Sequence, residues 1–290
     1  MRIDLHIHSK NGSDGKWDIV DIFKEASKRS IDVISITDHD SIDAQKRAMA
    51  LAGKYSIRYI TGVELNVSLS HPRYQNGKPA SLDFLGYGFN IEDHALADKL
   101  KSMRDHRVKR AEQILAKINI EFGKQGLREF TDKDLEGIRE TVDGSFGRPH
   151  IADYMIKKGI VSTKQEAFDR YLVNCDVPKL PLGMEEASAL IHGAGGRLML
   201  AHPNDPNGTS LRAFTKSIPE QHEIIRDIIR PHIDGIECWH SRHDKETIKS
   251  YIAFSHAMDF MVTGGSDCHQ QPVLMGTIEV PDYVIEQFDL

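Results

Sequence analysis

The chain has 290 residues, a formal charge of −6, 40% hydrophobic and 28% charged residues. That is enough apolar content for one or two packed domains, and it excludes a disordered tail. The net acidity excludes a basic nucleic-acid footprint, so no stable binding of duplex nucleic acid is expected.

The first 90 residues alternate strand and helix patterns. Ile3, Leu5 and Ile7 alternate with Asp4, His6 and His8, the period of a strand. Ile19, Ile22, Phe23 and Ala26 share one face of a helix. Asp32 to Ile36 reads as a buried strand, and Ser41 as the cap of a second helix carrying Ala44, Ala48, Leu51 and Ala52. Arg58 to Val63 and Leu82 to Gly88 read as further strands. Such alternation predicts a mostly parallel sheet, open or closed into a barrel. Between about 92 and 180 the pattern turns helical. Val108, Ala111, Leu115, Ile118 and Phe122 form a long stripe, Thr131 caps a short helix, and Thr163 with Glu166 forms a capping box. The basic run Arg104 to Arg110 reads as a solvated helix face. After Pro181 the alternation resumes: a helix over Glu185 to Gly193, strands at Arg197 to Ala201 and Ile233 to Cys238, a helix over Thr247 to Met258 and a strand at Phe260 to Thr263. The expected organisation is one α/β domain from residues 1–91 and 181–290, interrupted by a helical insertion at 92–180.

No apolar run approaches the roughly 20 residues of a membrane helix. The start, Met1-Arg2-Ile3-Asp4-Leu5-His6, has no apolar signal-peptide stretch. Three scattered cysteines, Cys175, Cys238 and Cys268, fit a reducing cytoplasm rather than a disulfide framework.

The unusual count is histidine, at 15 residues. On a strand, His6 and His8 point to the same side. Alone, that pair is weak. Its weight comes from the other strands, each expected to finish in an acid or imidazole: Thr37-Asp38-His39, Gly62-Val63-Glu64, Ala201-His202-Pro203 and Ser266-Asp267-Cys268-His269. In an α/β barrel these ends share one face, where catalytic groups collect. Imidazoles mixed with hard oxygen donors (Asp14, Glu64, Asp267) suit Zn, Mn or Fe. A bridging carboxylate such as Glu64 suits two metals that activate water and clamp a phosphoryl oxygen. Asp14, in Asn11-Gly12-Ser13-Asp14-Gly15, also reads as a plain turn residue.

Taken together these motifs resemble the PHP (polymerase and histidinol phosphatase) family of metal-dependent phosphoesterases. The resemblance runs from Asp4-Leu5-His6-Ile7-His8-Ser9 through Ser13-Asp14-Gly15, Thr37-Asp38-His39-Asp40, Gly62-Val63-Glu64 and Ala201-His202-Pro203 to Gly265-Ser266-Asp267-Cys268-His269. It implies a distorted (β/α)7 barrel holding two or three divalent ions. His6, His8, Glu64 and Asp267 match ligands of one metal, with Asp14, His39, His202 and His269 around its neighbours. At Asp83 the family usually carries a histidine. An aspartate there is shorter and anionic, and it bears on metal identity and number; His71, from the nearby loop, reads as a substitute or as an ordinary loop residue. The segment Gly147 to Ala152 is similar to the stand-alone nucleotide branch, with Arg148 and His150 expected as phosphate clamp and proton donor, and the insertion as a lid. Arg148 also reads as a salt-bridge residue. Glu237, His240 and His243 resemble family positions as well. Two readings stand for that segment: phosphate contact by Arg242 or His243, or a structural duty.

The expected activity is hydrolysis of phosphate esters of small nucleotides or oligonucleotide ends, by hydroxide generated at the metals. A histidinol-phosphatase-type monoesterase is the near alternative. A non-catalytic metal-binding barrel serving as a partner module is the distant one.

Overall fold

The computed structural model describes residues 1–74, 77–139, 148–178, 180–207 and 209–288. Gly147, the first residue of the Gly-Arg-Pro-His-Ile-Ala segment, lies outside them. The chain divides into two compact units, one of Met1–Leu100 with Pro181–Leu290, the other of Lys101–Leu180. In chain order the elements are β1 (Ile3–Ile7), α1 (Ile19–Lys28), β2 (Val33–Ile36), α2 (Gln45–Tyr55), β3 (Arg58–Tyr59), β4 (Gly62–Leu69), β5 (Ala80–Tyr87), α3 (His94–Lys124), α4 (Asp132–Arg139), α5 (Arg148–Lys157), α6 (Lys164–Ala167), α7 (Met184–Gly193), β6 (Arg197–Leu200), α8 (Ile218–Ile224), β7 (Gly235–His240), α9 (Lys245–Ala257), β8 (Met261–Gly265) and α10 (Tyr283–Glu286).

The first unit is mixed α/β. Its strands form two sheets, ordered β1-β2-β3 and β4-β5-β6-β7-β8. The first is parallel, as are β6, β7 and β8, but β5 runs antiparallel to both β4 and β6. The mostly parallel expectation holds for the other strand pairings and fails at β5, which returns beside β4. Their connection over residues 70–79 is too short for a helical crossover, and a short return forces antiparallel pairing. The strand expected over Arg58 to Val63 breaks at Ile60-Thr61, and its halves join different sheets. Among the described residues the strands number eight, where a distorted seven-stranded barrel is expected, and the two sheets meet at two isolated parallel bridges. One joins Ile7 to Cys268, and the other His39 to Glu64. At the first seam His8 N donates to Cys268 O at 3.1 Å; at the second, Asp40 N donates to Glu64 O at 2.7 Å.

Local chemistry explains most elements. Asp18 caps α1 by accepting from Val20 N at 2.9 Å, and Ile19, Ile22, Phe23 and Ala26 are all buried. α2 starts at Gln45 rather than behind a Ser41 cap: Ala44 is its N-cap, and Ser41 Oγ instead accepts from Asp43 N. In β1 every residue is buried, Asp4 and His6 included. The alternation marked two buried faces, one apolar and one polar, rather than one face in water.

The helical unit has its own core of Ile114, Ile118, Phe122, Phe130, Met155 and Tyr171, among others. Phe122 packs edge-on against Phe130 and Tyr171, with centroids 5.1 and 5.2 Å away. Val108 departs from the predicted stripe and is exposed, and Arg110 departs from the solvated run, being buried and paired with Asp176. Thr163 caps α6 through Glu166 N, while the Glu166 carboxylate closes on Ser162 N rather than on Thr163 N.

Thr131 and Asp134 open α4. Asp134 Oδ2 accepts from Thr131 N at 2.8 Å and from Thr131 Oγ at 2.9 Å, and Oδ1 from Tyr154 Oη at 2.8 Å. Burial opposes ionisation of this carboxyl, but these bonds and Arg128 overcome it and hold the pKa near about 2. An unfolded aspartate titrates near ~3.9. The folded value is the lower one, so the contribution is complete above about pH 4 and is lost as pH falls toward about 2. Asp134→Ala is expected to cost about 1–3 kcal/mol at neutral pH, because it orphans the buried Tyr154 hydroxyl and removes the bonds to Thr131, and to flatten the acid limb. Thermal melts followed by circular dichroism across that range check both effects; an unchanged acid limb in the variant would contradict the assignment.

Candidate metal centre

Side chains from β1, β4 and β7 and from the loops after β1, β2, β6 and β8 come together at one site in the first unit. β1 supplies His6, and the residue after it supplies His8, their ring centroids 5.1 Å apart. Gly265 on β8 allows this close approach. A Cβ there would fall 2.4 Å from both Cβ and N of His6. Asp4 locks the same strands together, accepting from Ser266 N at 2.9 Å, Ser266 Oγ at 2.6 Å and Gly276 N at 2.7 Å. Behind β2, buried Asp38 accepts from Ser9 N at 2.6 Å and Ser9 Oγ at 2.7 Å. Burial pushes its carboxyl up to about 6, against these bonds. His202 and Asp267 take positive φ, 24° and 53°. Non-glycine residues bear about 1–3 kcal/mol each in such conformations, which cluster at functional sites.

Glu64 is the centre of the arrangement. Its Oε2 lies 3.0 Å from His39 Nδ1, 3.2 Å from His8 Nε2 and 3.4 Å from His6 Nε2, while Oε1 lies 2.9 Å from His202 Nε2. Asp267 Oδ1 faces the same pair, 3.1 Å from His8 Nε2 and 3.5 Å from His6 Nε2. Asp14 Oδ1 lies 2.9 Å from His269 Nε2, with His39 at 3.8 Å and His8 at 3.9 Å. Burial falls off across this row. His6, His8 and Glu64 are closed from solvent, whereas Asp14 and His269 have side chains 39% and 32% exposed. The accessible mouth is therefore on the Asp14–His269 side.

Eight of the nine expected metal ligands thus gather here, and Asp14 is no bare turn residue. One correction concerns Glu64, which stands third in β4 rather than at the end of a strand. It reaches the shared edge because β4 starts where β2 stops, at the His39–Glu64 bridge. The ninth, Asp83, is buried nearby but bonded otherwise: Oδ1 accepts from Asn66 Nδ2 at 2.7 Å, and Oδ2 from Thr209 Oγ1. Burial, then the Glu64 charge, raise its carboxyl to about 8. His71 stands apart, against Tyr74.

His243 is buried with both ring nitrogens engaged, Nδ1 with Cys238 O at 3.0 Å and Nε2 with Asn204 N at 3.4 Å. It braces the loop after β7. Arg148 and His150 lie on α5 of the helical unit. There Arg148 pairs with Asp176 at 2.8 Å and lies over the Phe168 ring.

Sequence reasoning left Glu237 and His240 undecided and passed over Asp205. Glu237 Oε1 meets His6 Nδ1 at 2.9 Å, and its Oε2 accepts from His202 N at 2.8 Å. One carboxylate so fixes two imidazole-bearing segments. His240 Nε2 lies 3.4 Å from Asp267 Oδ2. A register shift between Glu237 and Trp239 turns both Glu237 and His240 inward, and a period of two cannot show this.

The pocket fits divalent cations. Among the described residues, Nε2 of His6, His8 and His240 and Oε2 of Glu64 are buried without a hydrogen-bond partner, a costly state that a metal bond relieves. Donors around one ion at about 2.1 Å stand roughly 3–4 Å apart. The groups His6–Glu64–His202, His6–His8–Asp267 and His8–Asp14–His39–His269 each fall within 4.8 Å. Charge points the same way. Burial disfavours protonated His6, yet Glu237, Glu64 and Asp267 raise its pKa well above normal. Burial disfavours ionised Glu64 and Asp267, yet the imidazoles hold both carboxyls well below normal. The carboxylates demand positive charge inside a closed pocket.

An α/β scaffold carrying such a centre fits the class of metal-dependent hydrolases. The chain belongs to the PHP domain family, whose pattern matches residues 4–172, and it is a hydrolase of phosphoric esters by that membership. It is 26% identical to the 3′,5′-nucleoside bisphosphate phosphatase of Chromobacterium violaceum, over 92% of this chain and 87% of that one. It is 27% identical to a 5′-3′ exoribonuclease of Haemophilus influenzae, over 92% and 90%. Among solved structures, one from Bifidobacterium adolescentis, described as a metal-dependent phosphoesterase, superposes with a TM-score of 0.73 at 23% identity, covering 98% of this chain and 94% of the other.

Glu237→Gln keeps the shape but weakens the grip on His6. Metal affinity is expected to fall about 10–100-fold, read by titration with Mn2+ or Zn2+. Unchanged affinity would remove Glu237 from this role.

Proposed function

We propose that the chain hydrolyses phosphate esters of small nucleotides or of oligonucleotide ends, using two or three divalent ions drawn from Zn, Mn and Fe. The observation that carries this is Glu64: one carboxylate with one oxygen among three imidazoles and the other on a fourth. His6, His8, Glu64 and Asp267 would hold one ion, and Asp14, His39 and His269 its neighbour, with His202 on the far oxygen of Glu64. Bound there, such ions supply an activated water and neutralise charge on a phosphoryl group. The protein's own part is to fix the donors. Asp4 and Asp38 pin the backbone on either side of His6 and His8, Glu237 sets the His6 ring, and the closed walls keep bulk water from the inner carboxylates. Asp14 and His269, at the open side, meet an entering phosphate first.

The nucleotide class follows the two curated relatives, both named for such substrates. Arg148 and His150 take their substrate assignment from the Arg-Pro-His-Ile-Ala segment, not from geometry. We read the two sheets as staves of one distorted barrel, with seams at Ile7–Cys268 and His39–Glu64. The three cysteines are unpaired and buried, in keeping with a cytoplasmic assignment. No helix among the described residues is long and apolar enough to cross a membrane.

Protein loaded with Mn, Fe or Zn is to be assayed against nucleoside 3′,5′-bisphosphates, short 5′-phosphorylated oligonucleotides and histidinol phosphate. Phosphate or nucleotide release from the first two is expected, and Glu64→Gln should lower it by at least ~100-fold. Turnover of histidinol phosphate alone would overturn the nucleotide assignment. No release with any metal would overturn the whole reading.

A further inference from the structure

Arg242 lies in the connection between β7 and α9, beside the pocket. Its Nε is 2.8 Å from Asp205 Oδ2 and its Nη2 is 2.5 Å from Asp267 Oδ2. Asp205 is fully buried and the Asp267 side chain 6% exposed. His240 Nε2 approaches the same Asp267 oxygen at 3.4 Å. Asp205, His240 and Asp267 therefore present three donors within 4.8 Å, two carboxylates and an imidazole, the composition of a divalent-ion site. Two of the three are already held by the guanidinium.

The two oxygens of Asp267 are divided between two tasks. Oδ1 faces His8 and His6, and Oδ2 faces Arg242 and His240. An ion about 2.1 Å from both Asp205 Oδ2 and Asp267 Oδ2 would fall where the guanidinium nitrogens lie. Buried carboxylates need a compensating cation. A guanidinium supplies one that cannot deprotonate: here it hydrogen-bonds Asp267 Oδ2 through Nη2 and pairs by charge with Asp205 Oδ2, a buried oxygen that no hydrogen bond satisfies.

We propose that Arg242 is a positioning residue of the metal centre: a fixed cation that fills the Asp205–His240–Asp267 group in place of a divalent ion and presents Asp267 to the His6–His8 pair through Oδ1 alone. This rests on the reading of that pair as metal ligands. It also gives the group a fixed single charge, so the number of ions bound is limited by a protein residue rather than by donor count.

The test is metal content at saturating Mn2+, measured by elemental analysis on wild-type protein, Arg242→Gln and the double variant Arg242→Gln/Asp205→Asn. Arg242→Gln should hold one more equivalent than wild type, and the double variant should lose it again. Equal content in wild type and Arg242→Gln overturns the proposal. A second measurement needs no variant: crystals of the Mn-loaded wild type should show no anomalous peak between Asp205 and Asp267, and a peak there overturns the proposal even if Arg242→Gln fails to fold. The two readings separate cleanly. Wild type with metal and no gain in the variant removes only the role of Arg242, whereas no metal in either protein removes both.

Discussion

A carboxylate buried among imidazoles governs this structure. Glu64 has almost no contact with solvent and faces His6, His8, His39 and His202. Taking such charge out of water is expensive, and it persists only where opposite charge and fixed donors surround it. Much else in the first unit serves that condition. Asp4 and Asp38 are themselves buried acids, spent on backbone N–H groups and hydroxyls that hold the imidazole-bearing loops. Gly265 gives up a side chain so that β1 can lie against β8.

The two seams matter for the same reason. Each sheet alone carries an incomplete set of donors. The three-stranded sheet brings His6, His8 and His39, and the five-stranded sheet brings Glu64, His202 and Asp267. The Ile7–Cys268 and His39–Glu64 bridges join the sheets where these residues emerge, so the two donor sets meet although the sheets do not form one continuous ladder. One accessible end lies at Asp14 and His269, while Glu237 and His240 behind His6 and Asp267 are buried.

The helical unit follows a simpler logic. Its core is aromatic and aliphatic, and its helix starts use ordinary capping chemistry, with Thr131–Asp134 and Thr163–Glu166 as the visible cases. Its long helix was legible because its buried positions recur at helical spacing. Val108 shows the limit of that reading, since period alone does not say how wide the buried stripe is. Arg110 shows the converse: a basic residue in a charged run becomes buried because Asp176 meets it from a segment far along the chain.

Local pattern determined a good deal by itself. The order of helices and strands, the pairing of His6 with His8 on one side of a strand, and the placing of His39, His202 and Asp267 just beyond strands all follow from short-range periodicity and turn chemistry. That is enough to read a metal site suited to hydrolysis; the phosphoesterase class comes from the resemblance of the whole set of motifs to the PHP family. Tertiary structure alone decided the rest. It split one predicted strand between two sheets, turned β4 and β5 antiparallel, moved Glu64 from a strand's end to its beginning, and shifted the β7 register so that Glu237 and His240 both face inward. It also bonded Asp83 to Asn66 and Thr209, and set Arg242 on Asp205 and Asp267. Each of these depends on which distant segment supplies the partner for a buried charge, and that partner is chosen by packing, not by the neighbours in sequence.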